Sequence, residues 1–325
     1  MKGNRQNTLA LVSIVVILLL GASWYLNRAN DEEGVQDQNL IPDDVPNNEA
    51  ALEIDVVYQT DSLDVPQWAP VGVYSPPWEH SIYLASSSDG LTFTGERFFV
   101  QHAGVPNLLL TGDGEIVATF QYFSYEEEML FDRIVYTVSD DYGQTWSPVK
   151  PIKFDTRYDK GSPPVDPTLV QLGDGRYRIY YTFHEPGTQY AALYSSSSTT
   201  LDDVFEDEGV QLSTTSMLLD PAVVFYDGIW HHYTVNHDGS GSLHSVSSDG
   251  LGFTLEENIM SDYQFLGGAI VDNGKLMFYG TGNGVVLAES DDGYVFRKVK
   301  EGVADGADPG VVKLSDGSYL IVYTK

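Results

Sequence analysis

From about residue 80 onward, short apolar runs alternate with tight polar turns. Five segments share one pattern: NLLLTGDGEIVATFQYF, TLVQLGDGRYRIYYTF, AVVFYDGIWHHYTV, AIVDNGKLMFYG and GVVKLSDGSYLIVYT. Each places two apolar runs around a dipeptide: Asp113-Gly114, Asp174-Gly175, Asp227-Gly228, Asn273-Gly274 and Asp316-Gly317. Runs of this length and content predict strands, and Asp-Gly or Asn-Gly supplies the positive φ angles of a hairpin turn. The turn glycines recur at intervals of 61, 53, 46 and 43 residues, so the hairpin is the unit of an internal repeat.

A second unit lies between the hairpins: a strand followed by Ser-x-Asp-x-Gly-x-x-aromatic or a near variant. Ser139-Asp140-Asp141-Tyr142-Gly143-Gln144-Thr145-Trp146 is the fullest copy. Shorter copies run from Ser87 to Phe93, Ser247 to Phe253 and Ser290 to Phe296, and Ser195 to Phe205 is a degraded one. In each, the Asp can cap turn amides, the Gly can take the left-handed position and the aromatic can tuck beneath the turn.

Four strands per unit predict an all-β fold, a five-bladed β-propeller. The first element, His80 to Val100, is the second half of a blade, and the last, Gly310 to Lys325, is the first half. Joined, they complete one blade, so the ring is expected to close by pairing the two ends of the domain, with Tyr83 and Ile321 in one sheet. Closure removes open sheet edges.

The Ser-x-Asp copies resemble the Asp-box of sialidases and related propellers. The Asp-Pro strand starts and the blade count resemble the five-bladed glycoside hydrolases of the arabinanase and β-xylosidase type. The likeness covers nearly all of residues 80–325 and implies a propeller whose ligand is carbohydrate or a surface glycan.

Propeller topology puts the starts of the innermost strands and the ends of the second strands on one face, near the central channel, with the hairpin turns opposite. Innermost strands begin at Asp166-Pro167, Asp220-Pro221 and Asp308-Pro309, and in the other two blades at Val105-Pro106-Asn107 and Gly267-Gly268. Pro suits a sheet edge, where its missing N–H costs no ladder bond, and it holds the preceding residue extended. Asp166, Asp220 and Asp308 are therefore expected to rim the channel as candidate catalytic carboxylates. Crowding would raise at least one of their pKa values. The alternative is that each Asp only caps a turn amide.

Second strands end at Tyr122, at His184-Glu185 and at Asn236-His237. Glu185 breaks the repeat and is the candidate proton donor. Asn107, Arg157, His184, His237, Asn236 and Tyr122 are candidate substrate-binding residues. His231 and His232 are expected inside a strand as core and inter-blade packing. Trp68, Trp78, Tyr122, Tyr125 and Tyr158 are candidate stacking platforms, although packing of residues 53–79 explains the first two equally well.

What the resemblance implies can be tested residue by residue. A sialidase clamps its sugar carboxylate with three arginines. Of Arg97, Arg133, Arg157, Arg176, Arg178 and Arg297, only Arg157 falls where a ligand would lie, which argues against sialidase activity. The arabinanase type uses two Asp and a Glu at strand starts. Asp166, Asp220 and Asp308 match, no innermost strand starts with Glu, and Glu185 would be a displaced substitute.

Charge and the N-terminus set the context. The 325 residues carry 47 Asp and Glu against 17 Lys and Arg, a net charge of −30, which argues against nucleic acid. With no cysteine, disulfides, thiolate metal sites and a cysteine nucleophile are excluded. No D-x-D-x-D-G calcium loop is present, so neither metal nor cofactor is expected. Thr8 to Leu26 (TLALVSIVVILLLGASWYL) holds no charge and follows Lys2 and Arg5. As a helix it would extend about 28 Å, close to the hydrocarbon thickness. It reads as a single-pass anchor with the C-terminal domain extracytoplasmic. The alternative is a cleaved signal, for which Gly21-Ala22-Ser23 before Trp24 is a poor cleavage site. Residues 29–52 are acidic and Pro-containing, a linker to a domain spanning 53–325. The functional expectation is an anchored, glycoside hydrolase-like propeller that acts on or binds carbohydrate. The alternative is a non-catalytic surface propeller for a glycan or protein partner.

Overall fold

The computed structural model describes residues 77–155, 163–235 and 242–325. The Thr8–Leu26 segment, the linker, most of 53–79 and the candidates Trp68, Arg157, Tyr158, Asn236 and His237 lie outside these residues. Among the described residues no helix is long and apolar enough to cross a membrane.

The described residues begin with a 3-10 turn, Pro77–Glu79, followed by β1 (Ser81–Ser87) and β2 (Thr94–Gln101). Blade 1 follows as β3 (Ala103–Leu110), β4 (Ile116–Phe123), β5 (Phe131–Ser139) and β6 (Lys150–Pro151). The short β7 (Lys153–Phe154) crosses to the outer edge of blade 2, which comprises β8 (Val165–Gln171), β9 (Tyr177–Phe183), β10 (Ala192–Ser198) and β11 (Val204–Leu212). Blade 3 is β12 (Ala222–Tyr226), β13 (Ile229–Val235), β14 (Ser242–Ser247) and β15 (Thr254–Leu255). Blade 4 is β16 (Gln264–Asp272), β17 (Lys275–Gly282), β18 (Gly284–Ser290) and β19 (Arg297–Glu301). The chain finishes with β20 (Ala307–Lys313) and β21 (Tyr319–Thr324).

The last sheet has the order β2-β1-β21-β20, so blade 5 is built from both ends of the domain. Tyr83 pairs with Tyr323 and Ala85 with Ile321. Ser81 and Lys325 exchange both backbone N–H···O bonds at 2.9 Å. Five blades with the expected closure are thus observed. The parallel pairing of β7 with β11 was not anticipated.

Each Ser-x-Asp turn is self-contained. The Ser87 hydroxyl donates to Asp89 at 2.8 Å and accepts the Gly90 N–H at 3.0 Å, while Asp89 accepts the Leu91 and Thr92 amides. Asp141 and Asp292 repeat the pattern. Three of these turns are also tied to the preceding blade. The hydroxyls of Tyr180, Tyr233 and Tyr279 donate to the carbonyls of Gly250, Gly293 and Gly90 at 2.8, 2.7 and 2.9 Å. These tyrosines hold one register position, opposite Thr168, Ala222 and Gly268. Each latch contributes on the order of 1 kcal/mol beyond the burial of its ring. Packing between blades is aromatic where blades 3 and 4 meet, with Tyr233, Phe265, Phe278 and Phe296 in mutual edge contact. His231 and His232 are both buried in β13. His231 bonds His244 at 3.0 Å and His232 bonds Ser245 at 2.9 Å.

Candidate functional site

Innermost strands begin with a bulge. In blade 2, Val165 pairs with Thr182 and Thr168 with Tyr180, so Asp166-Pro167 faces Tyr181 alone. The same shift places Asp308-Pro309 opposite Tyr323 and Val105-Pro106 opposite Phe120. The first residue of each pair takes the left-handed region, with φ of 56° at Asp166, 50° at Asp308 and 51° at Val105, and Asp220 before β12 has φ of 50°. An extra residue in one strand bends the chain and redirects a side chain. Asp tolerates the left-handed region better than most residues, and Pro next to it tolerates the lost N–H.

The redirected carboxylates converge on the hub. Asp166 and Asp220 are buried and Asp308 is half-buried. The Asp220 backbone N–H donates to Asp166 Oδ2 at 3.3 Å. Burial pushes Asp166 up to about 6, against the opposing pull of the Thr182 hydroxyl and that amide. Asp308 is pushed up to about 8, by burial first and then by the charge of Asp166. Asp220 rises well above the usual carboxylate range, through burial and then the charges of Asp166 and Asp308. Its Oδ2 is buried with no hydrogen-bond partner. An isolated buried charge is costly, so such a carboxyl keeps its proton.

A fourth carboxylate joins from blade 1. Asp132, only 1 % exposed and with φ of 60°, sits at the start of β5 and accepts from the Gln121 side chain. It is near enough to raise the pKa of Asp166. Sequence reasoning missed it because it stands on a third strand. The available signal was Gln121, which holds the register position taken by Thr182, Thr281 and Thr324 in three other blades. Blade 1 thus lacks an Asp at Val105 and receives one from a different strand.

The remaining candidates are placed elsewhere. Glu185 is exposed, and its Oε2 accepts the Tyr194 hydroxyl at 2.8 Å, over the third strand of blade 2. His184 is buried, with Nε2 against the Thr188 carbonyl at 3.0 Å. Asn107 uses Oδ1 to accept the Leu169 N–H of the next blade at 3.0 Å. Tyr122 is half-buried against the core shared by blades 5 and 1. Trp78 is 2 % exposed, packed on Phe123 and Phe131, so its indole is core and not a stacking surface. Tyr125 lies flat on His102 at 3.7 Å between centroids, and the His102 ring bonds the Trp78 carbonyl at 2.7 Å. Burial lowers the pKa of His102, which is therefore neutral near pH 7.

Every described arginine has another task. Arg178 makes a two-pronged, buried pair with Glu208 at 2.8 and 3.0 Å, and Arg97 donates to the Gly143 and Gln144 carbonyls. Arg133 caps the Asp132 carbonyl, Arg176 pairs with Asp174 and Arg297 with Glu289. Among the described residues no group of three carboxylates or imidazoles is set to hold a metal ion.

This architecture is shared with solved glycoside hydrolases. A thermostable family-43 glycoside hydrolase superposes with a TM-score of 0.52 at 14 % identity, over 68 % of this chain and 88 % of that one. An α-L-arabinofuranosidase from Clostridium thermocellum gives 0.51 at 16 %, over 67 % and 80 %. A family 117 glycoside hydrolase from the marine bacterium Zobellia galactanivorans gives 0.50 at 14 %, over 76 % and 90 %. The five-bladed propeller is therefore of the type found in these enzymes, and at such identities the likeness carries the fold alone. No protein-family model matches the chain, and no curated protein matches it.

Proposed function

We propose that this chain is an exported, membrane-anchored propeller that acts on carbohydrate at its hub, with Asp220 as the proton donor. One observation carries the reading: a deeply buried carboxyl whose Oδ2 has no hydrogen-bond partner, its pKa pushed well above the usual range by burial first and then by the charges of Asp166 and Asp308. Glycoside hydrolysis needs one carboxylic acid that retains its proton and a second group that is ionised. Asp166 suits the second role, because an amide and a hydroxyl donate to it and favour its charge. Asp308 and Asp132 then act as neighbours that raise pKa values. Glu185, turned toward Tyr194, has no part in this scheme. The likeness to carbohydrate-active propellers and the uncharged Thr8–Leu26 segment support the substrate class and the location.

The test is reducing-sugar release by the full chain in detergent, across a panel of arabinosyl, xylosyl and mannosyl substrates. We expect turnover of at least one substrate, a loss of about a hundredfold or more in Asp220→Asn, and little change in Glu185→Gln. The same preparation should fractionate with membranes and become soluble on deletion of residues 1–28. Turnover lost in Glu185→Gln and retained in Asp220→Asn would overturn the assignment. A second reading, a propeller that binds a glycan without cleaving it, is favoured by the depth of Asp220. It predicts saturable binding with no product.

A further inference from the structure

The junction between blades 1 and 2 lacks the tyrosine latch, as does that between blades 5 and 1, where Val322 opposite Gly310 holds the position. The latch position opposite Asn107 holds Thr119, where blades 2, 3 and 4 have Tyr180, Tyr233 and Tyr279. The turn that a latch would meet is the degraded copy, which reads Thr199-Thr200-Leu201-Asp202-Asp203 and contains no glycine. The Tyr-to-Gly latch is replaced here by Tyr136 of β5, whose hydroxyl donates to Asp202, and a groove of about 860 Å³ opens at this junction. It lies among the hairpin and Ser-x-Asp turns, on the face opposite the hub carboxylates.

The lining has a consistent chemistry. Asp202 is neutralised locally, accepting the Tyr136 hydroxyl at 2.6 Å and Lys150 Nζ at 2.9 Å. Asp113, Glu115 and Asp140 also line the groove, and their carboxylates have no hydrogen-bond or ion-pair partner among the described residues. The Tyr177 phenol beside them is pushed up, by burial first and then by the charges of Glu115 and Asp113. Tyr177 and Trp146 supply ring surface. Gln171 fixes the walls: its Oε1 accepts the Gly112 N–H at 2.8 Å and its Nε2 donates to the Gly175 carbonyl at 3.3 Å. It thereby ties the hairpins of blades 1 and 2 together.

We propose that this groove is a second binding site, for a saccharide that carries protonated amines. Its volume suits a small oligosaccharide. Unpartnered carboxylates exclude anions and favour cations, and aromatic faces beside hydrogen-bonding side chains suit a sugar ring better than a linear polyamine. The site does not depend on hydrolysis at the hub.

The experiment is calorimetric titration of the full chain in detergent, in mildly acidic buffer. The probes are glucosamine tetrasaccharide, its fully N-acetylated counterpart, spermine and a Lys-rich peptide. We expect saturable binding of the amine form, weaker by about tenfold or more after acetylation. The double variant Asp113→Asn/Glu115→Gln, on an exposed turn, should weaken it by about fivefold or more. Asp220→Asn should leave it unchanged, which separates this site from the hub. Equal binding of the acetylated form, indifference to the double variant, or equally tight binding of spermine or the peptide would each overturn the proposal.

Discussion

Asp141 and Asp220 are the same side chain in opposite surroundings. Asp141 lies in a turn and accepts from the Ser139 and Thr145 hydroxyls and the Gln144 and Thr145 amides, which hold its pKa down to about 2. Asp220 lies at the hub, where burial and two like charges keep it protonated. Both arise from an internal repeat, so repetition alone does not separate a structural aspartate from one with chemistry available. The count of donors does. Four or more donors make an anion comfortable and inert, whereas an unpartnered oxygen leaves a proton to give or a ligand to meet.

Three measurements would break or sharpen this contrast. The largest effect concerns crowding. A Cβ on Gly267 would lie 2.2 Å from the Tyr279 carbonyl oxygen and 2.7 Å from Pro309 Cδ, whereas one on Gly317, in a hairpin turn, would meet nothing within 4 Å. Gly267→Ala should cost about 3 kcal/mol or more, because backbone must move. Gly317→Ala should cost about 1 kcal/mol, from its left-handed φ alone. Equal costs in urea melts would show that the hub is no tighter than the turns.

The second concerns pH. Hub carboxyls titrate near 3.9 when unfolded and higher when folded, at about 6 for Asp166 and about 8 for Asp308. Their contribution is full below the unfolded value, and it is lost as pH rises through the folded values. Asp220→Asn removes one such group and should stabilise the protein by about 1–3 kcal/mol in mildly alkaline solution, with little change near pH 4. Melts across this range that leave the two proteins parallel would refute the burial argument. The smallest effect is at the turn. Asp141 is favoured when charged, so its contribution exists above the unfolded value and is lost as pH falls toward about 2. Asp141→Asn should lower Tm at neutral pH, and the difference should vanish in strong acid.

Much of the fold was legible because it rests on local rules. Asp-Gly pairs mark each hairpin, and the phase of the repeat announces closure through Tyr83 and Tyr323. The convergence of three Asp-Pro starts follows from the same phase. What escaped was non-local. Glu185 stood at the expected end of a blade, yet its direction depends on Tyr194, nine residues away on the next strand. Asp132 enters the hub from β5, where burial pattern alone gives no reason to expect an acid. The blade 1 and 2 groove lies beside two replacements, Thr119 for the latch Tyr and a glycine-free turn at Asp202 for the latched Gly. Each has meaning only once the other blades show what normally stands there.

The sheet order β2-β1-β21-β20 has a mechanical side. Tension arriving from the N-terminal side reaches β1, and this strand is gripped along both edges, by β2 and by β21. A pull on an outer strand would peel one ladder bond by bond. A pull here must tear two ladders together, so the point where load enters the ring is also among the hardest places to start unravelling it.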